Sequence, residues 1–150
     1  MQQSQKIMVL IEALLYIAHH QHTHPLGGKK LADILDISPR YLEPLLQILV
    51  REHILNSTRG PRGGYSFRKS YDDVTLSDVI IAFNTKECSE RARTSPIFDA
   101  VITPVFSEAR SIYIEALENI TIADLCQRAN NAGLTEILQN NTDSRLDYII

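Results

Sequence analysis

Tryptophan is absent from the sequence, and glycine and proline contribute only six residues each to its 150. Collagen-like and wholly disordered chains need far more of these two residues, so both classes are excluded. The two cysteines, Cys88 and Cys126, make neither a disulfide framework nor a complete set of metal ligands. The longest apolar stretch, Ile7 to Ala18, is broken by Glu12 and is too short to span a bilayer. These absences predict a cytoplasmic globular protein of about one domain.

The net charge of −3 conceals two halves of opposite sign. Residues 1–70 carry nine Lys and Arg against five Asp and Glu, a formal charge of +4, and also hold all five histidines. Residues 71–150 carry six bases against thirteen acids, a formal charge of −7. A basic half followed by an acidic half favours a polyanion-binding module joined to a second unit. An uneven but solvated surface is the alternative.

Hydrophobic spacing in the basic half predicts three helices, at about Ser4–His20, Lys29–Leu35 and Pro39–Glu52. The third has a strong start, because Ser38 is a good N-cap and Pro39 suits the first helical position. Two short helices joined by a tight turn are the outline of a helix-turn-helix. The β-prone segments that follow, 54–59 and 65–68, flank a glycine-rich turn with arginines at its tip. They predict a basic hairpin, or wing.

The acidic half contains two similar helix starts, at Thr75 and Thr121, each with Asp three residues later as in a capping box. Gly133 is predicted to end the second of these helices. Between them, 84–95 is predicted to be loop, and a long helix is predicted from Pro96 to Glu118, with a kink or later start at Pro104. Its apolar stripe suits a symmetric dimer, and an intrachain core helix is the alternative. The predicted dimer residues are Phe98, Val101, Ile102, Val105, Phe106, Ala109, Ile112, Tyr113 and Ala116. The polar segment from Gln139 to Ser144 is predicted to be frayed.

Two runs of sequence carry a resemblance to a known family. They are Ile37-Ser38-Pro39-Arg40-Tyr41-Leu42-Glu43 and Ser57-Thr58-Arg59-Gly60-Pro61-Arg62-Gly63-Gly64-Tyr65. With Val74 to Ile80, they resemble the Rrf2 family of bacterial winged-helix transcription regulators. The resemblance covers 7–83 well and continues loosely to Leu125. It implies a mostly α fold with a small β-hairpin wing: a winged helix-turn-helix DNA-binding domain (1–83), a loop at the family's sensor position (84–95), and a dimerisation helix with a C-terminal helix (96–150).

The resemblance also implies which residues contact DNA. Ser38 and Tyr41 would position the recognition helix on phosphates, and Arg40 would contact a phosphate or a base edge. Glu43 can accept a hydrogen bond from a cytosine amine or repel a wrong base. The full implied set is Lys29, Ser38, Arg40, Tyr41, Glu43, Arg59, Arg62, Gly63, Gly64 and Tyr65. A solvated helix face is the alternative for Arg40 and Glu43, and a plain hairpin turn for the two glycines.

Two features depart from the family pattern. Pro44 removes a backbone hydrogen bond to the Arg40 carbonyl, which predicts a bend in the recognition helix. Cluster-binding members carry three cysteines before the long helix, whereas this loop has Cys88 alone and no histidine. An iron–sulfur cluster needs about four ligands, mostly thiolates, so no cluster and no other cofactor is expected. Cys88, near Arg91 and Arg93, is a candidate redox-sensing thiol, and an ordinary exposed cysteine is the alternative.

No catalytic or metal constellation stands out elsewhere. Four histidines between the first two helices, His19, His20, His22 and His24, could chelate one ion, but a solvated loop is the preferred interpretation, so no metal site is predicted. There is no nucleophile elbow and no phosphate-binding glycine loop, and the chain is not expected to be an enzyme.

The sequence therefore predicts a transcription regulator, a repressor, that binds a pseudo-palindromic operator as a homodimer. The alternative is a protein–protein regulatory module that docks a metabolic enzyme, with weak or no DNA binding. The expected partners are double-stranded DNA, a second copy of the chain and a small-molecule or protein effector, and no membrane.

Overall fold

A computed structural model describes residues 3–87 and 95–143. In chain order these residues form α1 Gln3–His19, α2 Gly28–Ile34, α3 Pro39–Arg51, β1 Leu55–Thr58, β2 Gly64–Phe67, α4 Leu76–Glu87, α5 Thr103–Leu117, α6 Ile122–Asn131 and α7 Thr135–Asp143. A 3₁₀ turn, Tyr71–Asp73, precedes α4, and a turn of π-helix, Phe98–Ile102, precedes α5. The mostly helical fold with a small antiparallel hairpin confirms the predicted architecture.

The helix-turn-helix consists of α2 and α3. The turn between them places Asp36 at a positive φ of 52°, a conformation that Asp tolerates better than most residues. Ser38 caps α3 as predicted, because its side-chain oxygen accepts a hydrogen bond from the backbone N–H of Tyr41 at 3.2 Å. One face of α3 is buried against the core through Leu42, Leu45, Leu46, Ile48 and Leu49. This burial fixes which face of α3 points outward.

Pro44 lies inside α3 without ending it, since the helix continues to Arg51. Proline has no N–H to donate to the Arg40 carbonyl. Both Arg40 and Pro44 are exposed, so water can take the place of the missing donor. The missing hydrogen bond at Pro44 therefore costs less on this exposed face of α3 than it would on the buried face.

A single hydrophobic core contains residues of the first four helices, α1, α2, α3 and α4, and residues of the last two helices, α6 and α7. Ile122 of α6 is fully buried and Leu138 of α7 is 8% exposed, and both belong to the cluster that contains Leu10 and Leu14 of α1. The helix α5 has no buried residue and reaches this core only near its end, through Leu117. The segment 122–143 is thus packed on the winged domain, whereas α5 stands outside it.

Both predicted capping boxes are present, at Thr75 with Asp78 and at Thr121 with Asp124. The helix α6 ends as predicted at Gly133, which has a positive φ of 71° and donates its N–H to the Asn130 carbonyl. The predicted irregularity before Pro104 is also present, as the π-helical turn.

Two predicted segments differ from the structure. The loop prediction for 84–95 is wrong for Asn84 to Glu87, because α4 continues to Glu87. Residues 88–94 of the predicted loop lie outside the described residues. The frayed tail from Gln139 to Ser144 is wrong as far as Asp143, because α7 runs from Thr135 to Asp143 and is anchored by Leu138. Both helix extensions have polar sequences, which do not predict a helix by themselves. Their helical state depends on the packing of the neighbouring turns.

Candidate nucleic-acid interface

The outward face of α3 forms one polar stripe. Its exposed members are Arg40, Glu43, Pro44, Gln47 and Arg51, and their spacing of three or four residues places them on one side of a helix. Arg51 donates from Nε to the Gln47 carbonyl at 3.3 Å. Gln47 and Arg51 are not among the predicted contact residues, although their spacing from Glu43 places them on the same face of the helix. The stripe offers cationic, carboxylate and amide groups in sequence along α3.

The start of α3 holds two of the predicted contact residues. The Ser38 hydroxyl is exposed and uses an oxygen lone pair for the helix cap, so its O–H is still available as a donor to another acceptor. Tyr41 is half-buried and packs against the hydrophobic core. Lys29, on α2, is exposed. A helix N-terminus with a free hydroxyl donor and nearby lysine is well suited to a phosphate.

The wing is the loop that joins β1 to β2. The strands pair with Leu55 opposite Phe67 and Thr58 opposite Gly64, and the Gly63 N–H donates to the Gly60 carbonyl at 2.9 Å. That hydrogen bond closes a turn with Pro61 at its second position, where proline is favoured. Arg59 and Arg62 lie in this loop and are exposed. The structure thus presents two arginines at the wing tip, as predicted.

Gly63 and Gly64 are required by the packing of the wing itself. A Cβ on Gly63 would overlap the Thr58 carbonyl oxygen. Gly64 has a positive φ of 152°, and a Cβ there would lie 2.5 Å from the Leu26 carbonyl oxygen. At these two glycines the backbone lies too close to the backbone of Thr58 and of Leu26 for any residue with a Cβ.

The wing is joined to the helix-turn-helix by its backbone. Leu26, in the segment before α2, pairs with Tyr65 of β2: the Leu26 N–H donates to the Tyr65 carbonyl at 3.0 Å, and the Tyr65 N–H donates to the Leu26 carbonyl at 2.9 Å. At the base of the wing, the Arg68 guanidinium donates to Nδ1 of His53, just beyond α3, at 2.9 Å. The hairpin is therefore held by an isolated β-bridge to the segment before α2 and by a side-chain contact to the residue that follows the recognition helix.

Tyr65 differs from the role that the resemblance implied. Its side chain is only 7% exposed, its ring lies over Gly28, and its hydroxyl accepts a hydrogen bond from Gln47 Nε2 at 3.1 Å. The ring is therefore not on the surface that DNA would meet. Tyr65 is a positioning residue that holds the wing against α2 and α3.

A second exposed surface lies on α5 and the turn before it. Val105 is 63% exposed, Phe106 is 72% exposed, and Val101, Ile102, Ile112 and Tyr113 are also among the exposed large hydrophobic side chains. Ala109 and Ala116 are exposed, and Phe98 is half-exposed. We call this surface the α5 patch. Within residues 3–87 and 95–143, no part of the chain covers the patch, so these residues do not bury it as an intrachain core helix would be buried.

Two of the histidines that follow α1, His20 and His24, make separate contacts with backbone carbonyls. Nδ1 of His20 lies 2.8 Å from the Tyr16 carbonyl, and Nδ1 of His24 lies 3.3 Å from the Pro25 carbonyl. Burial lowers the pKa of His19, and the nearby His20 lowers it further. Within residues 3–87 and 95–143, no group of three or more His, Cys, Asp or Glu side chains is arranged to hold a metal ion.

The cysteines do not supply a cluster site in the described part of the chain. Cys126 is half-buried in α6, and its pKa is raised first by burial and then by Asp72. A raised pKa disfavours the thiolate that metals and oxidants require. Cys88 and its neighbours Arg91 and Arg93 lie outside the described residues.

The comparison with known families decides the identity of this fold. Residues 3–128 match the model of the Rrf2 family, described as an iron-dependent transcriptional regulator. The chain belongs to the Rrf2 family. It is 31% identical over 122 residues to protein rrf2 of Nitratidesulfovibrio vulgaris, an alignment that covers 78% of this chain and 81% of the relative.

Solved structures agree with this membership. The Rrf2 chain matches T. potens IscR with a TM-score of 0.68 and 27% identity, over 88% of this chain and 90% of that one. It shares its fold with CymR, the global cysteine regulator of B. subtilis, at a TM-score of 0.62 and 20% identity, over 85% and 95% of the two chains. This Rrf2 protein is a DNA-binding transcription regulator and not an enzyme.

No helix in the described part of this Rrf2 protein is long and apolar enough to cross a membrane.

Proposed function

We propose that this Rrf2 protein is a cytoplasmic repressor that binds a pseudo-palindromic operator as a homodimer. The observation that supports this most directly is the α5 patch, whose apolar side chains are exposed on a single chain. Monomeric soluble proteins rarely expose a contiguous apolar surface of this kind. A second copy, related by a two-fold axis, would cover the patch with the same patch.

The shape of the chain beside α5 also favours a second copy. A groove of about 360 Å³ runs between α1, α4 and α5, and Tyr113 belongs both to the groove and to the α5 patch. Its lining is mainly apolar, with Ile7, Ile11 and Leu117 among its residues. Side chains of an antiparallel α5 from the partner copy would fill this recess as they cover the patch.

The polar stripe of α3 supports operator recognition in the major groove. We assign Ser38, Tyr41 and Lys29 to phosphates, and Arg40 and Glu43 to base edges. Arg59 and Arg62 would follow the adjacent minor groove or its phosphates from the wing. In a two-fold dimer the two α3 helices enter successive major grooves, about 34–36 Å apart, so the operator is a pseudo-palindrome.

An electrophoretic shift across a salt series tests this proposal. The probe is DNA from the protein's own promoter, with a scrambled duplex of equal length as the control. We expect a promoter complex that contains two chains and weakens as salt rises. Salt-independent or absent binding would instead favour the module that docks a metabolic enzyme. A promoter-fused reporter whose output rises when the gene is deleted would support repression.

Arg59→Ala is expected to weaken operator binding by about tenfold near 0.1 M salt. Arg59 is exposed in the wing loop, and each lost phosphate contact makes the plot of log affinity against log salt shallower by about 0.9. Fluorescence anisotropy across a salt series measures both effects.

The matched control for Arg59→Ala is Arg128→Ala, which removes the same charge from an exposed site on α6. If both variants weaken binding equally, the effect is one of net charge, and Arg59 has no place in the interface.

We also propose that this chain works without an iron–sulfur cluster, despite the iron-dependent description of its family. The residues do not fit the group, because the sequence has only two cysteines and one of them, Cys126, is half-buried in α6. Two chains would bring together two Cys88 thiolates at most, and a cluster needs about four ligands.

Protein purified without oxygen is therefore expected to be colourless and to bind its operator without added iron or sulfide. An anaerobic absorption spectrum with iron and sulfide assays checks this. Brown protein with near-stoichiometric iron and sulfide would contradict it. If the spectrum is blank, an oxidant response that survives Cys88→Ser would exclude Cys88 as a redox sensor.

A further inference from the structure

The two capping boxes lie side by side, joined through their backbones. Thr75 and Thr121 form an isolated antiparallel bridge. The Leu76 N–H donates to the Ile120 carbonyl at 2.8 Å, and the Ile122 N–H donates to the Val74 carbonyl at 2.9 Å. We call residues 74–76 and 120–122, with the two cap carboxylates Asp78 and Asp124, the joint. It fastens the start of α4 to the start of α6.

The joint lies between the wing and α5. Lys69, two residues after β2, pairs with Asp78 through Nζ and Oδ2 at 3.5 Å. On the other side, Ile120 follows the end of α5 by three residues and packs against the core. Because α5 has no buried residue of its own, this end is where the described part of the chain holds it by backbone hydrogen bonds.

Each half of the joint is stiffened by its cap. The Thr121 N–H donates to Asp124 Oδ2 at 2.8 Å, the Thr121 hydroxyl donates to the same oxygen at 3.1 Å, and the Asp124 N–H donates back to Thr121 Oγ1 at 3.1 Å. At the other cap, the Thr75 N–H donates to Asp78 Oδ2 at 3.0 Å. Hydrogen bonds from Thr121, first from its backbone and then from its side chain, lower the pKa of Asp124. That carboxylate is therefore ionised at neutral pH and accepts all the hydrogen bonds offered to it.

We propose that the joint sets the angle between α5 and the winged domain, and thereby selects the half-site spacing of the operator, with Thr121 as a positioning residue. The inference rests on the proposed homodimer. In such a dimer the distance between the two recognition helices depends on how each winged domain is fixed to its α5. A helix of fifteen residues is about 22 Å long, so a tilt of about 10° at one end moves the other by about 4 Å, roughly one base-pair step.

The test compares operators that differ only in spacing. The wild-type protein first selects its best duplex from a random library, and that duplex is then remade with the half-sites one base pair closer and one base pair farther apart. Anisotropy gives the affinity of each duplex, and of a single half-site, for the wild type, Thr121→Val and Thr121→Ser. Valine keeps the shape and extended backbone of threonine but removes the capping oxygen, whereas serine keeps that oxygen.

Thr135→Val is the matched control, because it also removes a hydroxyl near the start of a helix, one that donates to Asn130 Oδ1 at 2.8 Å, outside the joint. We expect Thr121→Val to reduce the preference for the best spacing by about fivefold, the factor that corresponds to a lost cap of about 1 kcal/mol. Single half-site affinity, Thr121→Ser and Thr135→Val should match the wild type.

Unchanged spacing preference in a folded Thr121→Val dimer would overturn the inference. So would an equal loss in Thr135→Val, since that would reflect stability alone. If Thr121→Val does not fold, Asp124→Asn provides the second variant, because it keeps one acceptor for the Thr121 N–H while removing the charge. A monomeric wild-type protein would refute the proposed homodimer, whereas a dimeric wild type that ignores spacing would overturn the inference about the joint. Both results are visible before any variant is measured.

Discussion

Val105→Asp is expected to convert the proposed dimer into a folded monomer. Val105 is 63% exposed on the single chain and sits in the middle of the α5 patch. The fold of each chain therefore does not depend on it, whereas the proposed interface would bury an unpaired carboxylate. That burial costs at least about 3 kcal/mol, which raises the dimer dissociation constant by at least about a hundredfold. Sedimentation equilibrium over a concentration series, with circular dichroism for helicity, measures both.

Ser107→Asp is the control for the Val105 experiment. Ser107 is exposed on the same helix, about 200° around its axis from Val105, so it adds the same charge away from the patch. A Ser107→Asp dimer beside a Val105→Asp monomer would place the interface on the patch. Wild-type association of Val105→Asp would show that α5 is not the main contact between copies.

Gly64→Ala is expected to destabilise the protein by about 3 kcal/mol and to abolish most operator binding. The added Cβ would meet the Leu26 carbonyl oxygen at 2.5 Å, and alanine rarely adopts a φ of 152°. Relief of the overlap requires that the Leu26–Tyr65 pairing opens, which displaces the wing from the helix-turn-helix. Urea unfolding and anisotropy with the operator report the two losses.

Gly27→Ala gives the comparison for Gly64→Ala within the same segment. Gly27 has φ −63°, which any residue adopts, and its added Cβ would meet only the Gly63 carbonyl oxygen, at 4.0 Å. We expect stability within about 1 kcal/mol of the wild type, because alanine restricts the unfolded chain but is a poorer N-cap for α2 than glycine. Equal losses in the two variants would mean that glycine content, not the contact at Leu26, limits stability.

Local signals in the sequence found most of the elements. The N-cap at Ser38, the two capping boxes and the helix stop at Gly133 act within a few residues, so each is legible without knowledge of the tertiary fold. The apolar stripe of α5 was also predictable, because helical spacing of apolar residues is a pattern of the sequence itself.

The missed features depend on segments that are distant in sequence. The pairing of Leu26 with Tyr65 joins positions 39 residues apart, and no local sequence pattern predicts it. This pairing accompanies the burial of Tyr65. Because Tyr65 follows a motif of exposed arginines and glycines in the sequence, it was predicted to contact DNA. The bridge between Thr75 and Thr121 is a further example: both caps were found, but their contact was not. Tertiary packing decides such cases, and one sequence does not record it.

The pairing of Leu26 with Tyr65 also bears on the entropy of operator binding. A two-stranded hairpin by itself is marginally stable in water, and a loose wing would lose its freedom at the moment it met the DNA. Here the third segment and the Gln47 hydrogen bond to the Tyr65 hydroxyl order the wing before any contact is made. The entropy cost of ordering the wing therefore falls on folding and not on DNA binding. The contacts of the arginines then contribute more to the net binding free energy. The wing of this regulator is preorganised, and its arginine side chains alone remain to be fixed on the operator.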